Sequence, residues 1–473
     1  MQNKMITKRS EDFARWYTDV VAAANLAAYS PVKGSLYIEP SGYALWESIQ
    51  KVLDKMFKET GHKNVAFPLL IPKSLLEKEA DLIEGFAPEV AWVTRGGDKD
   101  LDEMMAIRPT SETMFCDYYS KKISSYRDLP QLLNQWCSIY RWEKESRPFL
   151  RSREIIWQEG HTMHETAREA EEETRRMLDI YDTFFREYLA IPTLTGKKTE
   201  KEKFAGAEYT YTVETMMQNG IALQSGTSHY FGQSFAKAYD VKFTGRDNKE
   251  ENPYQTSWGV STRIIAAIIM VHADDNGLVL PPRIAPFKLV ITEIRSDDNV
   301  KREALAIKEM LDQAGITTLI DDTDKAPGFK FAEAEVNGYP LRLEIGPRDV
   351  ENNEYTLVRR DNREKIKVRK EEIVSTALSL LNAIHNSLYE KAKENMLLKI
   401  KEAHNKEEFL NITASGNFFV KAMHCGCKEC EEQIQRETGL KTRCIPFSDE
   451  TIDSKCVYCG KDAKYLVYFG KQY

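Results

Sequence analysis

The chain has 473 residues, which excludes a single small module and suggests two to four domains. Apolar residues make up 42% and charged residues 29%, the balance of a folded protein with a core, and the net charge of -7 excludes a globally basic nucleic-acid binder, so any such site must be a local patch. The longest aliphatic run, Ile264 to Val271, is too short to span a bilayer, and the N-terminal stretch has no apolar signal core; no membrane contact and a cytoplasmic location are expected.

In chain order, the pattern predicts a first helix from Glu11 to Ala28. A second, Tyr43 to Thr60, carries Leu45, Ile49, Val52, Leu53, Met56 and Phe57 on one stripe and stops at Gly61. Val65 to Pro72 reads as a strand, at an edge or interface because Pro68 cannot donate to a ladder. A long amphipathic helix is predicted from His164 to Leu189. The proline-rich stretch Pro281 to Pro286 is the clearest linker. Beyond it strand and helix alternate: Lys288 to Glu293, Val300 to Ala314, Thr317 to Asp321, Lys330 to Val336, Leu341 to Ile345, Tyr355 to Arg359 and Lys370 to Glu394. That is a small α/β unit with a mostly parallel core.

Three clusters carry chemistry. The first is the Gly61 to Leu70 stretch, a helix feeding the proline-bearing strand. The second is Ile139-Tyr140-Arg141-Trp142-Glu143, then an arginine-rich loop, then Phe149 to Ile155. It reads as two strands, with Arg141 and Glu143 on one face. A guanidinium there could grip a phosphate and a carboxylate could accept from an amino group; a surface ion pair is the plain alternative. The third is Ser257-Trp258-Gly259-Val260-Ser261-Thr262-Arg263 ahead of the apolar helix Ile264 to Val271. A cation in a helix's first turn opposes the helix dipole unless an anion binds, so this is a candidate phosphate seat.

Together these clusters resemble motifs 1, 2 and 3 of class II aminoacyl-tRNA synthetases. The stretches Arg108-Pro109-Thr110-Ser111-Glu112, Trp157-Gln158-Glu159-Gly160-His161, Lys203-Phe204-Ala205-Gly206-Ala207, Gly226-Thr227-Ser228-His229 and Phe469-Gly470-Lys471-Gln472-Tyr473 resemble the prolyl-tRNA synthetases, archaeal/eukaryotic type, along the whole chain. The resemblance implies an α+β multidomain fold: a class II antiparallel sheet flanked by helices over 1–283, an α/β anticodon-binding domain over 284–382, a helical linker over 383–404 and a zinc-binding unit over 405–473. It implies ATP, L-proline and tRNA(Pro) as partners, Mg²⁺ with the ATP, structural Zn²⁺, and a two-fold homodimer built on the second helix and the Pro68 strand.

It also implies residue roles. Arg141 bridges the proline carboxylate and the α-phosphate. Glu143 faces the adenine amino group. Arg151 and Arg263 contact the outer phosphates, with Mg²⁺ between them, and Ser152 belongs to the same ATP site. Gln224 and Thr227 touch the adenosine. Thr110 and Glu112 take the proline imino group; Trp157, His161, Phe204, His229 and Ser261 complete that pocket. Arg141 and Arg263 are the catalytic pair, because the substrate carboxylate is itself the nucleophile and the protein supplies positioning and charge neutralisation. The terminal Tyr473 is expected to fold back towards this site. Core packing is the plain alternative for Trp157, Phe204 and both histidines.

Proline anticodons end in two guanines, whose pairing edges suit a carboxylate and a cation. Glu344 is the expected reader, with Arg348 or Lys330 in support. A basic run from Arg359 to Lys370 could contact phosphates or simply form a solvated face. Six of the eight cysteines lie between Cys425 and Cys459, a metal signal. Spacing alone selects Cys427 and Cys430 with Cys456 and Cys459. The family resemblance selects Cys425, Cys430, Cys456 and Cys459, leaving Cys427 in reserve. Cys116, Cys137 and Cys444 are expected in the core.

Two other readings fit the residues less well. A synthetase for another small amino acid such as threonine fits poorly with the Phe204 and Trp157 walls. A non-catalytic tRNA-binding paralogue is expected to lack Arg141 or Arg263, and both are present. Some bacterial-type relatives carry an editing domain between motifs 2 and 3. Here Glu154 to Gly259 is filled by the elements above, leaving no room for one of at least ~50 residues.

Overall fold

The computed structural model describes residues 6–78 and 90–473; the expected domain start at residue 1 falls outside them. The first helix is shorter than predicted, Phe13–Ala23. Asp12 caps it by accepting from the Ala14 and Arg15 N–H groups, and Asn25 at φ 49° turns the chain into the hairpin Ala27–Tyr29 and Leu36–Ile38. The second helix starts earlier than predicted, at Pro40, a residue that tolerates the first turn because its missing N–H would be unpaired there anyway. Its stripe of Leu45, Ile49, Leu53 and Phe57 is buried, as the periodicity required.

The predicted strand Val65 to Pro72 is broken. Only Lys63–Asn64 and Leu70–Pro72 are strands, and they join different sheets. Between them the Phe67 N–H donates to the Gln135 side chain rather than to a ladder, and Pro68 has no N–H to give. Leu70–Pro72 pairs with a hairpin, Ala91–Gly96 and Lys99–Ile107, that the sequence pattern did not reveal.

Among the described residues eleven strands form one sheet. Its catalytic half runs Thr193–Lys197, Tyr209–Met216, Ala222–Gly232, Tyr254–Ser261, Glu154–His164, Gln131–Tyr140 and Lys63–Asn64, antiparallel except at the last pair. Gly160 sits opposite Trp258, and a Cβ there would lie 2.1 Å from the indole, so only glycine lets that ring lie across the sheet. The helix Ala167–Thr183 covers one face, opened by a reciprocal cap between Thr166 and Glu169 and continued by one wide turn, Phe184–Tyr188. It starts later than predicted because His164 belongs to the preceding strand. The apolar helix Arg263–His272 packs on the same core.

Residues 289–368 hold a five-stranded sheet ordered Thr318–Asp321, Leu289–Glu293, Leu341–Ile345, Tyr355–Arg359 and Lys365–Val368. The first three strands are parallel and the last two antiparallel, so the parallel core extends less far than expected; Lys365–Val368 was not anticipated. The helix Ile373–Leu398 runs unbroken across the expected boundary at 382.

The tail does not stand apart. Its strands Ile400–Glu402, Phe419–His424, Tyr465–Gly470 and Lys441–Pro446 extend the catalytic sheet through the pairing of Lys441–Pro446 with Thr193–Lys197. The architecture is therefore the expected α+β one: a mostly antiparallel sheet flanked by helices, an α/β unit and a small cysteine-bearing unit. No described helix is long and apolar enough to cross a membrane.

Candidate active site

A cavity of about 240 Å³ opens on the central sheet. Its lining includes Thr110, Glu112, Arg141, Trp157, His161, Phe204, Gln224, Thr227, His229, Ser261 and Arg263, residues that the sequence scatters over more than a hundred positions. Strand alternation explains much of this. Trp157, Glu159 and His161 share one face of Glu154–His164, and Ser257, Gly259 and Ser261 share one face of Tyr254–Ser261.

Glu112 opens the helix Glu112–Ser120 and is buried. Its carboxylate accepts from the Thr110 hydroxyl at 2.5 Å and from the Ser257 hydroxyl at 3.2 Å. Beside it Glu159, which sequence reasoning passed over, accepts from Ser111 at 2.5 Å and from Gln135 at 2.7 Å, and lies 2.9 Å from His161 Nε2. Burial works to raise the Glu159 carboxyl, but the bonds from His161, Ser111 and Gln135 outweigh it and hold it below its usual range. The shared alternation with Trp157 and His161 was the signal that could have found it. Cys137 Sγ is 3.3 Å from the same carboxylate, at the edge of the site rather than in plain core as expected; Cys116 and Cys444 are fully buried.

His229 is buried, and desolvation together with the nearby His161 lowers its pKa to about 3, so it is a neutral ring at physiological pH. Its Nδ1 lies 2.9 Å from Thr210 Oγ1, which also accepts from the Phe204 N–H at 3.0 Å. Phe204 and His229 rings lie 4.6 Å apart. Lys198, Glu202 and Ser257 also line the cavity. Ser257 could have been found by alternation with Ser261; Lys198 and Glu202 carry no local signal.

Arg263 occupies the first turn of its helix. Its guanidinium reaches the Gln224 and Leu150 carbonyls, each at 3.4 Å. Burial, then the neighbouring Arg141 and Arg151, lower its pKa to about 10. It remains charged, and three guanidiniums close enough to repel one another form a natural anion seat. Arg141 Nε donates to Pro109 O at 3.0 Å, and its guanidinium lies 5.4 Å from the Trp157 ring centre.

Glu143, Arg151 and Ser152 do not line this cavity. The strand reading of Arg141 to Glu143 is corrected: the strand ends at Tyr140, and the Glu143 N–H turns back to the Arg141 carbonyl at 2.7 Å. The Phe149 to Ile155 strand likewise begins only at Glu154, because Phe149 sits at φ 59°. Glu143 and Arg151 approach to 4.0 Å, and Arg151 is exposed. Ser152 is buried and its hydroxyl donates to the Glu154 carbonyl. Arg108 is structural: it donates to the Ser138 and Phe67 carbonyls at 2.8 Å each.

In the α/β unit Glu344 is the penultimate residue of the strand Leu341–Ile345, paired with Arg342 at 2.9 Å and near Lys365 at 3.5 Å. Arg348 is exposed. Lys330 is 2% exposed and donates to the Glu293 and Asp321 carbonyls.

In the tail, Cys430 Sγ lies 3.8 Å from Cys456 Sγ, and Cys459 Sγ 3.6 Å from Cys425 Sγ. His424, Cys425, Cys430 and Cys456 offer ligand atoms within 4.8 Å of one another; His424 was not anticipated. Cys427 points to Glu429, at 2.7 Å. The Cys456 thiol is held well below its usual range, by Cys430 first and then, against burial, by backbone N–H groups including those of Cys459 and Tyr458. A cluster of unbridged thiols, one favoured as thiolate, fits a structural zinc. The terminal Tyr473 does fold back: its N–H donates to the Ala222 carbonyl, on the strand that carries Gln224.

Residues 92–272 match the family of class II tRNA synthetase core domains (G, H, P, S and T), 284–380 the anticodon-binding domains, and 406–473 the C-terminal domain of prolyl-tRNA synthetases. A proline–tRNA ligase of Ruminiclostridium cellulolyticum is 55% identical over 469 residues, covering 99% of this chain and 98% of the relative. The chain belongs to the prolyl-tRNA synthetases. Proline–tRNA ligases of Lachnoclostridium phytofermentans and Clostridium botulinum are 54% and 52% identical over the same length. These relatives are bacterial, so family membership stands without the archaeal/eukaryotic subtype. A prolyl-tRNA synthetase is an aminoacyl-tRNA synthetase, a ligase, and the cavity lies in its class II core.

Proposed function

We propose that this proline–tRNA ligase forms prolyl-adenylate in the cavity lined by Arg141 and Glu112. The observation that carries this reading is the shared cavity: cationic Arg141 and Arg263 line it together with a buried carboxylate and an aromatic wall. Arg141 holds the proline carboxylate against the α-phosphate, and Arg263, with Arg151, takes the outer phosphates. Mg²⁺ brought with ATP would help Arg263 and Arg151 neutralise the phosphate charge. Glu112, set by Thr110 and Ser257, pairs with the proline ammonium. Trp157, Phe204, neutral His229 and His161 wall the ring, and Ser261 completes the pocket. Gln224 and Thr227 meet the adenosine, with Glu143 and Ser152 at the adenine side. The tRNA 3′ hydroxyl then attacks the adenylate.

The same reading assigns anticodon recognition to Glu344 with Arg348 or Lys330, zinc to Cys425, Cys430, Cys456 and Cys459, and keeps 1–283, 284–382, 383–404 and 405–473 as the domain limits. The tail and the absence of space for an editing domain favour the archaeal/eukaryotic architecture. A homodimer is supported by exposed Tyr43 and Leu69 on the elements assigned to its interface; sedimentation at micromolar concentration tests it, and a monomer refutes it. The location is cytoplasmic. Arg141→Ala tests the site: proline-dependent ATP–pyrophosphate exchange should be lost with folding intact, and near-normal exchange would refute the assignment.

A further inference from the structure

We propose that Thr199 and Glu431 form a positioning pair through which the cysteine-bearing tail sets the affinity of the proline pocket. The inference rests on the reading of that cavity as the proline site.

Phe204, Glu202 and Lys198 line the cavity from a turn that follows the strand Thr193–Lys197. The turn holds its shape through several anchors: Thr210 takes the Phe204 N–H, and Thr199 closes the turn ahead of it. The Thr199 carbonyl accepts from the Glu202 N–H at 3.1 Å and from the Lys203 N–H at 3.0 Å, which closes the turn immediately before Phe204. The Thr199 hydroxyl donates to Glu431 Oε1 at 3.0 Å and lies 3.0 Å from Thr442 Oγ1. Thr442 bonds the same Glu431 oxygen. All three residues are buried, so these bonds face no competition from water.

Glu431 lies next to Cys430 on the helix Lys428–Thr438, so the metal cluster and the turn share one rigid element. A second contact repeats the link: Lys201 Nζ donates to Gln435 Oε1 at 2.5 Å, one helical turn further on. On the sheet side Lys198 Nζ donates to Glu214 at 2.8 Å and to the Arg443 carbonyl at 2.9 Å, while Arg443 itself donates to Glu214. The two units meet closely because a Cβ at Gly196 would lie 2.2 Å from the Ile445 carbonyl oxygen. The tail thus holds the first half of the turn that presents Phe204 to the ring, while Thr210 holds the Phe204 N–H itself.

A loop that loosens must be ordered again when proline binds, and that cost falls on proline affinity rather than on ATP. The test compares Thr199→Val, Glu431→Ala and Glu431→Gln in the full-length enzyme. The measurements are KM for proline and for ATP in pyrophosphate exchange, zinc per chain by mass spectrometry, and the rate of trypsin cleavage after Lys203. Thr199→Val and Glu431→Ala should raise the proline KM roughly tenfold, with ATP KM within about twofold, and should speed cleavage. Thr199→Val should keep its zinc, and Glu431→Gln, which retains an acceptor oxygen, should restore most of the affinity. An unchanged proline KM with unchanged cleavage overturns the pair, as does an equal rise in both KM values. Absence of proline-dependent exchange in the unmodified enzyme would instead refute the pocket reading itself.

Discussion

The Ser257 hydroxyl donates to Glu112 Oε1 at 3.2 Å, joining the third sequence cluster to the helix that follows Arg108-Pro109-Thr110-Ser111. Two segments 145 residues apart thereby fix one carboxylate inside the cavity. Glu112→Gln removes the charge that the substrate ammonium needs while keeping the shape. The expected loss is about 1.5–3 kcal/mol, roughly 10- to 150-fold in kcat/KM for proline, with ATP KM little changed. Steady-state exchange kinetics check it; an unchanged proline kcat/KM would remove Glu112 from the site.

The tail separates two arguments about one ligand. Cys425 lies against Cys459, whereas Cys427 turns to Glu429. Serine at Cys425 should cost the bound zinc, and serine at Cys427 should not. Metal analysis of both purified variants decides it, and the reverse pattern would favour the spacing argument.

The catalytic and α/β units are tied by a two-pronged pair, Arg360 to Asp274 at 2.7 and 2.8 Å. Burial works to raise the Asp274 carboxyl, but Arg360 outweighs it and holds it below its ordinary range. A depressed carboxyl stabilises the fold above the unfolded-state pKa, and that contribution fades as pH falls from about 4 through the lowered value. Asp274→Asn should therefore lower stability at pH 7 by about 1–3 kcal/mol. The gap in thermal midpoint between the two proteins should narrow towards pH 3. A gap independent of pH over that window would show that the pair's charge contributes nothing.

The sequence was legible where chemistry is local. Strands place alternate residues on one face, which puts Trp157 with His161 and Ser257 with Ser261; Trp157, His161 and Ser261 entered the expected pocket through the family resemblance, whereas Ser257 was not named. It was not legible where partners are distant. Alternation puts Glu159 on the face of Trp157 and His161, but its bonds from Ser111 and Gln135, 48 and 24 residues away, are not written in the local pattern. Arg141 lies just beyond the end of its strand and donates to the Pro109 carbonyl, a contact no alternation pattern foretells. The hairpin Ala91–Gly96 and Lys99–Ile107 escaped notice because its largely exposed residues carry no apolar alternation. The burial of Lys330 against two backbone carbonyls likewise carried no local signal.

Alanine is smaller than proline, and walls that fit the ring cannot exclude it; missing methylenes discriminate by only ~1–3 kcal/mol each. With the Glu154 to Gly259 stretch occupied by catalytic strands and helix, we expect some alanyl-adenylate and no hydrolysis of alanyl-tRNA(Pro) by this chain. Supplying the preformed ester and following deacylation checks this. Rapid enzyme-dependent hydrolysis would reveal a second site.

The most direct test of the account is ATP–pyrophosphate exchange measured with each standard amino acid in turn. The account predicts strong exchange with proline, weak exchange with alanine and none above background with threonine. Exchange driven best by another amino acid, or none with proline, would contradict it.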